Sequence, residues 1–365
     1  MSFRFWLAMM TVLTGSSLAL AQAAPHSRPP ARLAIYYGYP SLVNGANGDV
    51  ERAAAAFSPY DVVVLGDGLE FSDHQAGRFP AGDPGEHQKV LQIIAAAKRS
   101  NPAIKFYGYV PLGDNQSLKP EQIQERIRLW KPMGVAGIFL DEASYDFKIV
   151  TRERQNMAVS YVHDQGLGVL MNGYFLDHLF GLEDKPPVSN GGPKNPKHLP
   201  PKLDRRDIFL LESFDISNGQ YEDPAHLKLR LKQAAEYRGK YGARIFAITT
   251  TTDKQPFDAQ KFNRACEAAR TAGIDGFGWG EPNFSASSNM LGDHRCEVKP
   301  AARAAMRPER SHFRTSTNGA LLAGDSDDDS LREVDFSATM EARNEARTLL
   351  TPSKPEALTT CGAGQ

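Results

Sequence analysis

Eight short apolar runs, spaced along the chain and separated by helical patterns, limit what this sequence can fold into. They lie at residues 33–39, 61–69, 104–112, 135–140, 166–174, 207–214, 243–250 and 274–279. They recur about every 34 residues, the spacing of a strand followed by a helix. The run 135–140 has no polar interruption, as in a strand buried on both faces. Between the runs, residues 87–99 place Val90, Leu91, Ile94 and Ala97 on one helical face, and residues 120–132 do the same with Ile123, Ile127 and Trp130. Residues 49–57, 151–165 (opening at Thr151 as N-cap), 224–241 and 258–272 (closed by Gly273) complete the helical set. The helix after the fifth run is interrupted, and the Pro/Gly/Lys-rich loop 186–201 is expected to rim an active site. Alternating strands and helices imply a parallel sheet. An open doubly wound sheet would carry a Gly-rich phosphate turn after the first strand. That turn reads Tyr37-Gly-Tyr-Pro-Ser-Leu-Val43, so the expected fold is a closed α/β barrel, (β/α)8.

The ends of the chain differ from this middle. Arg4 precedes an apolar segment from Phe5 to Leu20, with Ala19, Ala21, Ala23 and Ala24 offering cleavage sites. That pattern is a signal peptide, 1–23, followed by a Pro-rich linker, 24–32. The expected mature protein is exported, periplasmic or extracellular, without stable membrane insertion. The barrel is expected over 33–298. Residues 299–365 pass from a basic stretch to the acidic Asp325–Asp329 with few apolar positions, and read as a disordered tail. A net charge of -1 argues against a general nucleic-acid binder. Of the three cysteines, Cys266, Cys296 and Cys361, the first two form the favoured pair if a disulfide is made, but a buried free thiol at Cys266 is the stronger expectation. No spacing resembles a metal site, and no cofactor motif is present.

In a barrel the carboxyl ends of the strands converge on one mouth, where catalytic groups sit. The fourth run breaks directly from Leu140 into Asp141, Glu142, Tyr145 and Asp146, and the sixth ends at Glu212. Carboxylates there are costly unless they face a cleft. The other runs bring Tyr36 and Tyr37, Asp67 and Glu70, Tyr107 and Tyr109, Asn172 and Tyr174, Thr249 to Thr252, and Trp279 with Glu281. Aromatic faces for sugar C–H surfaces, with two carboxyl groups able to flank one bond, are the equipment of glycoside hydrolysis. Asp141, Glu142 and Glu212 are therefore the candidate catalytic residues. Tyr36, Tyr37, Asp67, Tyr109, Tyr145, Asn172, Trp279 and Glu281 are the candidates for binding substrate. Against this, Asp146 could simply hold its loop, the tyrosines could fill the barrel, Glu281 could pair with Arg295, and Arg152 and Arg154 read as a solvated helix start.

Tyr36-Tyr-Gly-Tyr39, Gly108-Tyr-Val110, Gly137-Ile-Phe-Leu-Asp-Glu142 and Glu212 together resemble the exported polysaccharide hydrolases around spherulin-4 and endo-α-1,4-polygalactosaminidase, glycoside hydrolase families 135 and 114. The resemblance spans roughly residues 33 to 284. It implies a TIM barrel with an acid at strand four and a glutamate at strand six, hence Asp141, Glu142 and Glu212. It also implies a substrate containing galactosamine or N-acetylgalactosamine. Pro111-Leu-Gly-Asp114 and Trp279-Gly-Glu281 depart from the pattern. The leading expectation is an exported, endo-acting hydrolase of an amino-sugar polysaccharide, with no cofactor. The alternatives are a non-catalytic glycan-binding barrel of the cell envelope and an assembly factor that uses the charged tail.

Overall fold

The computed structural model describes residues 29–72, 86–184, 192–255 and 257–296. The expected signal peptide and tail lie outside them. Eight parallel strands close into a barrel: β1 (Ala31–Tyr36), β2 (Val62–Leu65), β3 (Lys105–Pro111), β4 (Gly137–Asp141), β5 (Gly168–Asn172), β6 (Ile208–Glu212), β9 (Arg244–Ile248) and β10 (Gly276–Gly278). Neighbours pair in chain order and β10 returns to β1, with Ala31 opposite Gly276. This is a (β/α)8 TIM barrel, as the spacing of the apolar runs implies. The small hairpin β7 (Ile216–Ser217) and β8 (Gln220–Tyr221) is inserted after β6.

The strands sort their side chains by a period of two. Leu33, Ile35, Val62, Val64, Tyr107, Phe139, Leu170, Ile208, Leu210, Phe246 and Ile248 fill the barrel interior. The alternate residues pack outward against the helices α1 (Val50–Phe57), α2 (Glu86–Ser100), α3 (Pro120–Trp130), α4 (Arg152–Asp164), α6 (Pro224–Tyr241) and α7 (Ala259–Thr271). Caps define several helix starts: Asp49, Thr151 and Asp258 each accept a backbone N–H from the first turn. On β3, a Cβ at Gly108 would collide with the Trp130 indole, so glycine there lets α3 approach and Trp130 donate to the Tyr109 carbonyl at 3.1 Å.

Two βα units depart from the regular pattern. After β5 only the five-residue α5 (Leu176–Phe180) forms. The described part of the loop expected to rim the site instead runs down the outside of the barrel beside α4. The Lys194 carbonyl accepts from Arg152 N, the Pro200 carbonyl from Asn156, and Asp207 meets His163 at the far end of that helix. Arg152 and Arg154 are not solvated. Arg152 is buried and donates to the Leu179 and Gly181 carbonyls, and Arg154 donates to those of Leu112 and Leu118. After β10, an extended segment takes the place of an eighth helix among the described residues. Asn289 accepts from the Tyr39 N–H, Asn44 pairs with Leu291, and Cys296 forms a disulfide with Cys266 of α7. The pairing displaces the free-thiol expectation.

Candidate active site

The period of two decides which sequence candidates reach the mouth. Asp141 shares the inward parity of Phe139, Asn172 that of Leu170, and Glu212 that of Leu210. Tyr37 and Tyr109 pack on the interior cluster, and their rings meet edge to face at 5.5 Å. Five of the eleven candidates thus come together. At their centre the Asn172 amide donates one N–H to Asp141 Oδ1 at 2.9 Å and the other to Glu212 Oε2 at 2.8 Å. An amide between two carboxylates must turn its nitrogen toward both, since its oxygen would be repelled. Two bonds of this length from one nitrogen hold the acceptor oxygens less than about 6 Å apart.

Glu142 follows Asp141 with φ at 53°, which swings its side chain away from the Asp141 face. Its Oε1 accepts from Asn115. A Cβ at Gly113 would collide with the Glu142 carboxylate and with Phe147, so Gly113, just past β3, makes room for the acid. Ser213 and Asp215, just past Glu212, also have positive φ. Strained non-glycine residues directly after both strand-end acids mean that the surrounding structure holds these positions against local preference. Burial of the Tyr109 hydroxyl, and after it the Asp141 and Glu142 charges, push its pKa well above the usual phenol value. Tyr109 is therefore a permanent neutral donor beside the carboxylates. Glu212 is braced from behind: Arg230 donates to its carbonyl at 2.7 Å and is itself held by Glu222 at 3.0 Å. Burial opposes the Glu222 charge, but His226 and Arg230 hold its pKa below the ordinary carboxylate range.

The remaining candidates lie elsewhere. Tyr36 points outward into the layer under α1, edge to face with Phe57, and its hydroxyl donates to the Tyr39 carbonyl at 3.1 Å. Tyr145 is buried against His178, with ring centroids 4.9 Å apart. Trp279 packs outward with Phe257 and Phe262. Glu281 binds His294 at 2.7 Å and the Gly292 N–H at 3.1 Å, not Arg295. Asp67 accepts from Gln116 at 2.6 Å and from the buried Arg126, which also binds Glu70. Asp146 lies 3.8 Å from His178. Alternation from the neighbouring core positions would have separated Tyr37 from Tyr36. The Asn115 and Arg230 contacts carry no sequence signal, because they cross between elements.

One further acid group, His163 with Asp204 and Asp207, has ligand atoms within 4.8 Å of one another. It sits at the opposite end of the barrel, where α4 ends and β6 begins. Asp207 there accepts from His163 at 2.9 Å and from the Val169 and Asp204 N–H groups. Asp204 is paired with Arg206, whose hydrogen bonds lower its pKa to about 2. These bonds make the group a staple between elements.

Fold and site together define a (β/α)8 barrel with a bridged carboxylate pair at its mouth. No family model matches the chain, and no curated protein matches it. Weak likenesses exist among solved structures. One is the endo-beta-1,4-glucanase Xac0029 from Xanthomonas axonopodis pv. citri, with 10% identity and a TM-score of 0.41 over 68% of this chain and 87% of that one. Another is Aspergillus fumigatus Ega3 in complex with galactosamine, with 13% identity and a TM-score of 0.37 over 72% and 94%. A third is the malate synthase lead(II) complex of Haloferax volcanii, with 15% identity and a TM-score of 0.39 over 89% and 81%. The barrel assignment rests on the strand pairing itself.

Proposed function

We propose that this protein is an exported, endo-acting glycoside hydrolase of an amino-sugar polysaccharide of the galactosamine or N-acetylgalactosamine type. The observation that carries the reading is the Asn172 bridge. It keeps the bridged oxygens of Asp141 and Glu212 less than about 6 Å apart, which favours the spacing of about 5–5.5 Å of retaining enzymes over the about 6.5–9.5 Å of inverting ones. In this reading Asp141 attacks the anomeric carbon while Glu212 protonates the departing glycosidic oxygen. Glu212 then takes a proton from the water that cleaves the glycosyl–enzyme ester. In an N-acetylated substrate the acetamido oxygen could attack in place of Asp141, which would then steady it. Glu142, tied to Asn115, positions substrate at the edge of the site. No step calls for a cofactor.

The closeness of the two carboxylates speaks against a purely glycan-binding barrel, whose acids need not flank one bond. The acidic mouth favours a sugar that bears an ammonium group. The disulfide supports an oxidising destination, as the N-terminal pattern expects. No helix among the described residues is long and apolar enough to cross a membrane.

The deciding experiment is reducing-end release from partially deacetylated polygalactosamine by wild type, Glu212→Gln and Asp141→Asn. Each substitution is expected to cut release by about 10²–10⁴-fold. Undiminished release in both variants overturns the assignment.

A further inference from the structure

Seven large apolar side chains are exposed among the described residues. Six of them, Leu42, Ile149, Leu182, Tyr221, Phe257 and Met290, belong to segments that leave the carboxyl ends of barrel strands. Of these, Tyr221 has the most elaborate support. It ends the β7–β8 hairpin that follows Glu212, and the residue is 44% exposed. The hairpin is pinned to the end of β9, where the Gly219 N–H donates to the Thr250 carbonyl at 2.8 Å and the Asn218 N–H to Thr250 Oγ1 at 2.9 Å. It is pinned to α7 by Lys261, which donates to the Gly219 carbonyl at 2.6 Å. The Arg264 guanidinium lies 4.0 Å from the Tyr221 ring centre, held by the buried Asp215 at 3.3 Å. The Lys261 ammonium lies 5.7 Å from the same ring. The next residue, Glu222, connects through Arg230 to the backbone of Glu212.

A ring fixed this firmly and left exposed gives the fold little, because much of its area stays in water. It does offer a ligand an apolar surface that costs no ordering on binding. Its charge surroundings are also the reverse of the mouth. Asp141, Glu142 and Glu212 are acidic, whereas the hairpin ring is flanked by Arg264 and Lys261. A polymer crossing both places meets carboxylates at the mouth and, at the hairpin, the Lys261 cation beside an Arg264 whose charge Asp215 partly offsets. An ammonium-bearing sugar is favoured at the mouth and opposed at the hairpin, and an acidic sugar suffers the reverse. An uncharged ring is opposed at neither. An acceptor oxygen on that ring would find donors on Arg264, which has five N–H groups and only Asp215 as hydrogen-bond partner among the described residues.

We infer that Tyr221 and Arg264 form a second sugar-binding subsite, outside the carboxylate pair, for an uncharged ring with an acceptor oxygen. Within the proposed substrate class this is an N-acetylated residue. The protein thus reads the acetylation pattern of its polymer, with a free amine favoured near the cleaved bond and an acetylated residue at the hairpin. The inference rests on the glycan reading above, yet binding tests it without turnover.

The test uses the full chain carrying Glu212→Gln, titrated calorimetrically with hexamers of N-acetylgalactosamine, galactosamine and galacturonate. Tyr221→Ala should weaken binding of the acetylated hexamer roughly tenfold, while Tyr221→Phe keeps it. Arg264→Gln should weaken the acetylated hexamer and narrow its advantage over the deacetylated one. Unchanged affinity in Tyr221→Ala overturns the subsite. So does tighter, Arg264-dependent binding of galacturonate, or failure of both amino-sugar hexamers to bind. If wild type releases no reducing ends while Tyr221-dependent binding persists, the hydrolase reading falls and the subsite stands.

Discussion

Asn172 and Tyr36 end strands on opposite sides of the barrel, β5 and β1, and their surroundings give them opposite roles. The Asn172 amide bonds to both Asp141 and Glu212, so its replacement should act on catalysis before stability. Asn172→Asp places a third carboxylate beside Glu212. Like charge raises the pKa of a neighbouring acid, so the alkaline limb of the activity profile should move to higher pH. A pH–rate profile with an unmoved limb would contradict the bridge. Tyr36 is the reverse case. Tyr36→Phe removes a hydroxyl bonded to the Tyr39 carbonyl and should cost about 1 kcal/mol in denaturant unfolding, with glycan cleavage unchanged. Loss of cleavage without loss of stability would return Tyr36 to the site.

At the scale of elements, β2, β3 and α3 are locked by one buried cation. Arg126 binds Glu70 and half-exposed Asp67, leaving two carboxylates to share a single guanidinium. Burial pushes the Glu70 carboxyl up to about 7, against the pull of Arg126. The folded state therefore binds this proton more tightly than the unfolded chain, where the value is 4.5. Glu70 contributes its full stability below the unfolded value, and that contribution is lost as pH rises through about 7. Urea unfolding of wild type should weaken by up to about 3 kcal/mol from pH 4.5 to pH 8 relative to Glu70→Gln. Parallel pH dependence in the two proteins would show that Glu70 is ionised throughout. The elements also show where local pattern stopped being informative. All eight strands and six of the helices were legible from periodicity and caps, because each signal lies within one segment. The path of residues 192–207 was not. That loop follows α4 through bonds to Asn156 and His163, partners some forty residues away.

For the whole molecule, the closing device is the segment after β10, which covers the gap between α1 and α7 where an eighth helix would pack. Cys266 and Cys296 are 30 residues apart, and a cross-link closing a loop of that size stabilises by about 3–4 kcal/mol through the unfolded chain. Cys266→Ala with Cys296→Ala, or reduction of the wild type, should lower the melting temperature by several degrees. An unchanged melting curve under reductant would mean that the Glu281–His294 and Asn44–Leu291 contacts hold the segment unaided.

The sequence by itself determined that the chain makes eight strand–helix units, and it marked Asp141 and Glu212 as acids ending buried strands. Both signals are local: periodicity sets the element, and a charge directly after an apolar run needs no distant partner to be noticed. Only the tertiary structure decided which neighbours face inward together. It took Trp279 and Glu281 into the wall, placed Asn172 between two carboxylates, and carried Tyr221 to the rim on a hairpin held by α7. Those outcomes depend on strand register and on contacts between residues far apart in the chain, and no window of sequence contains them.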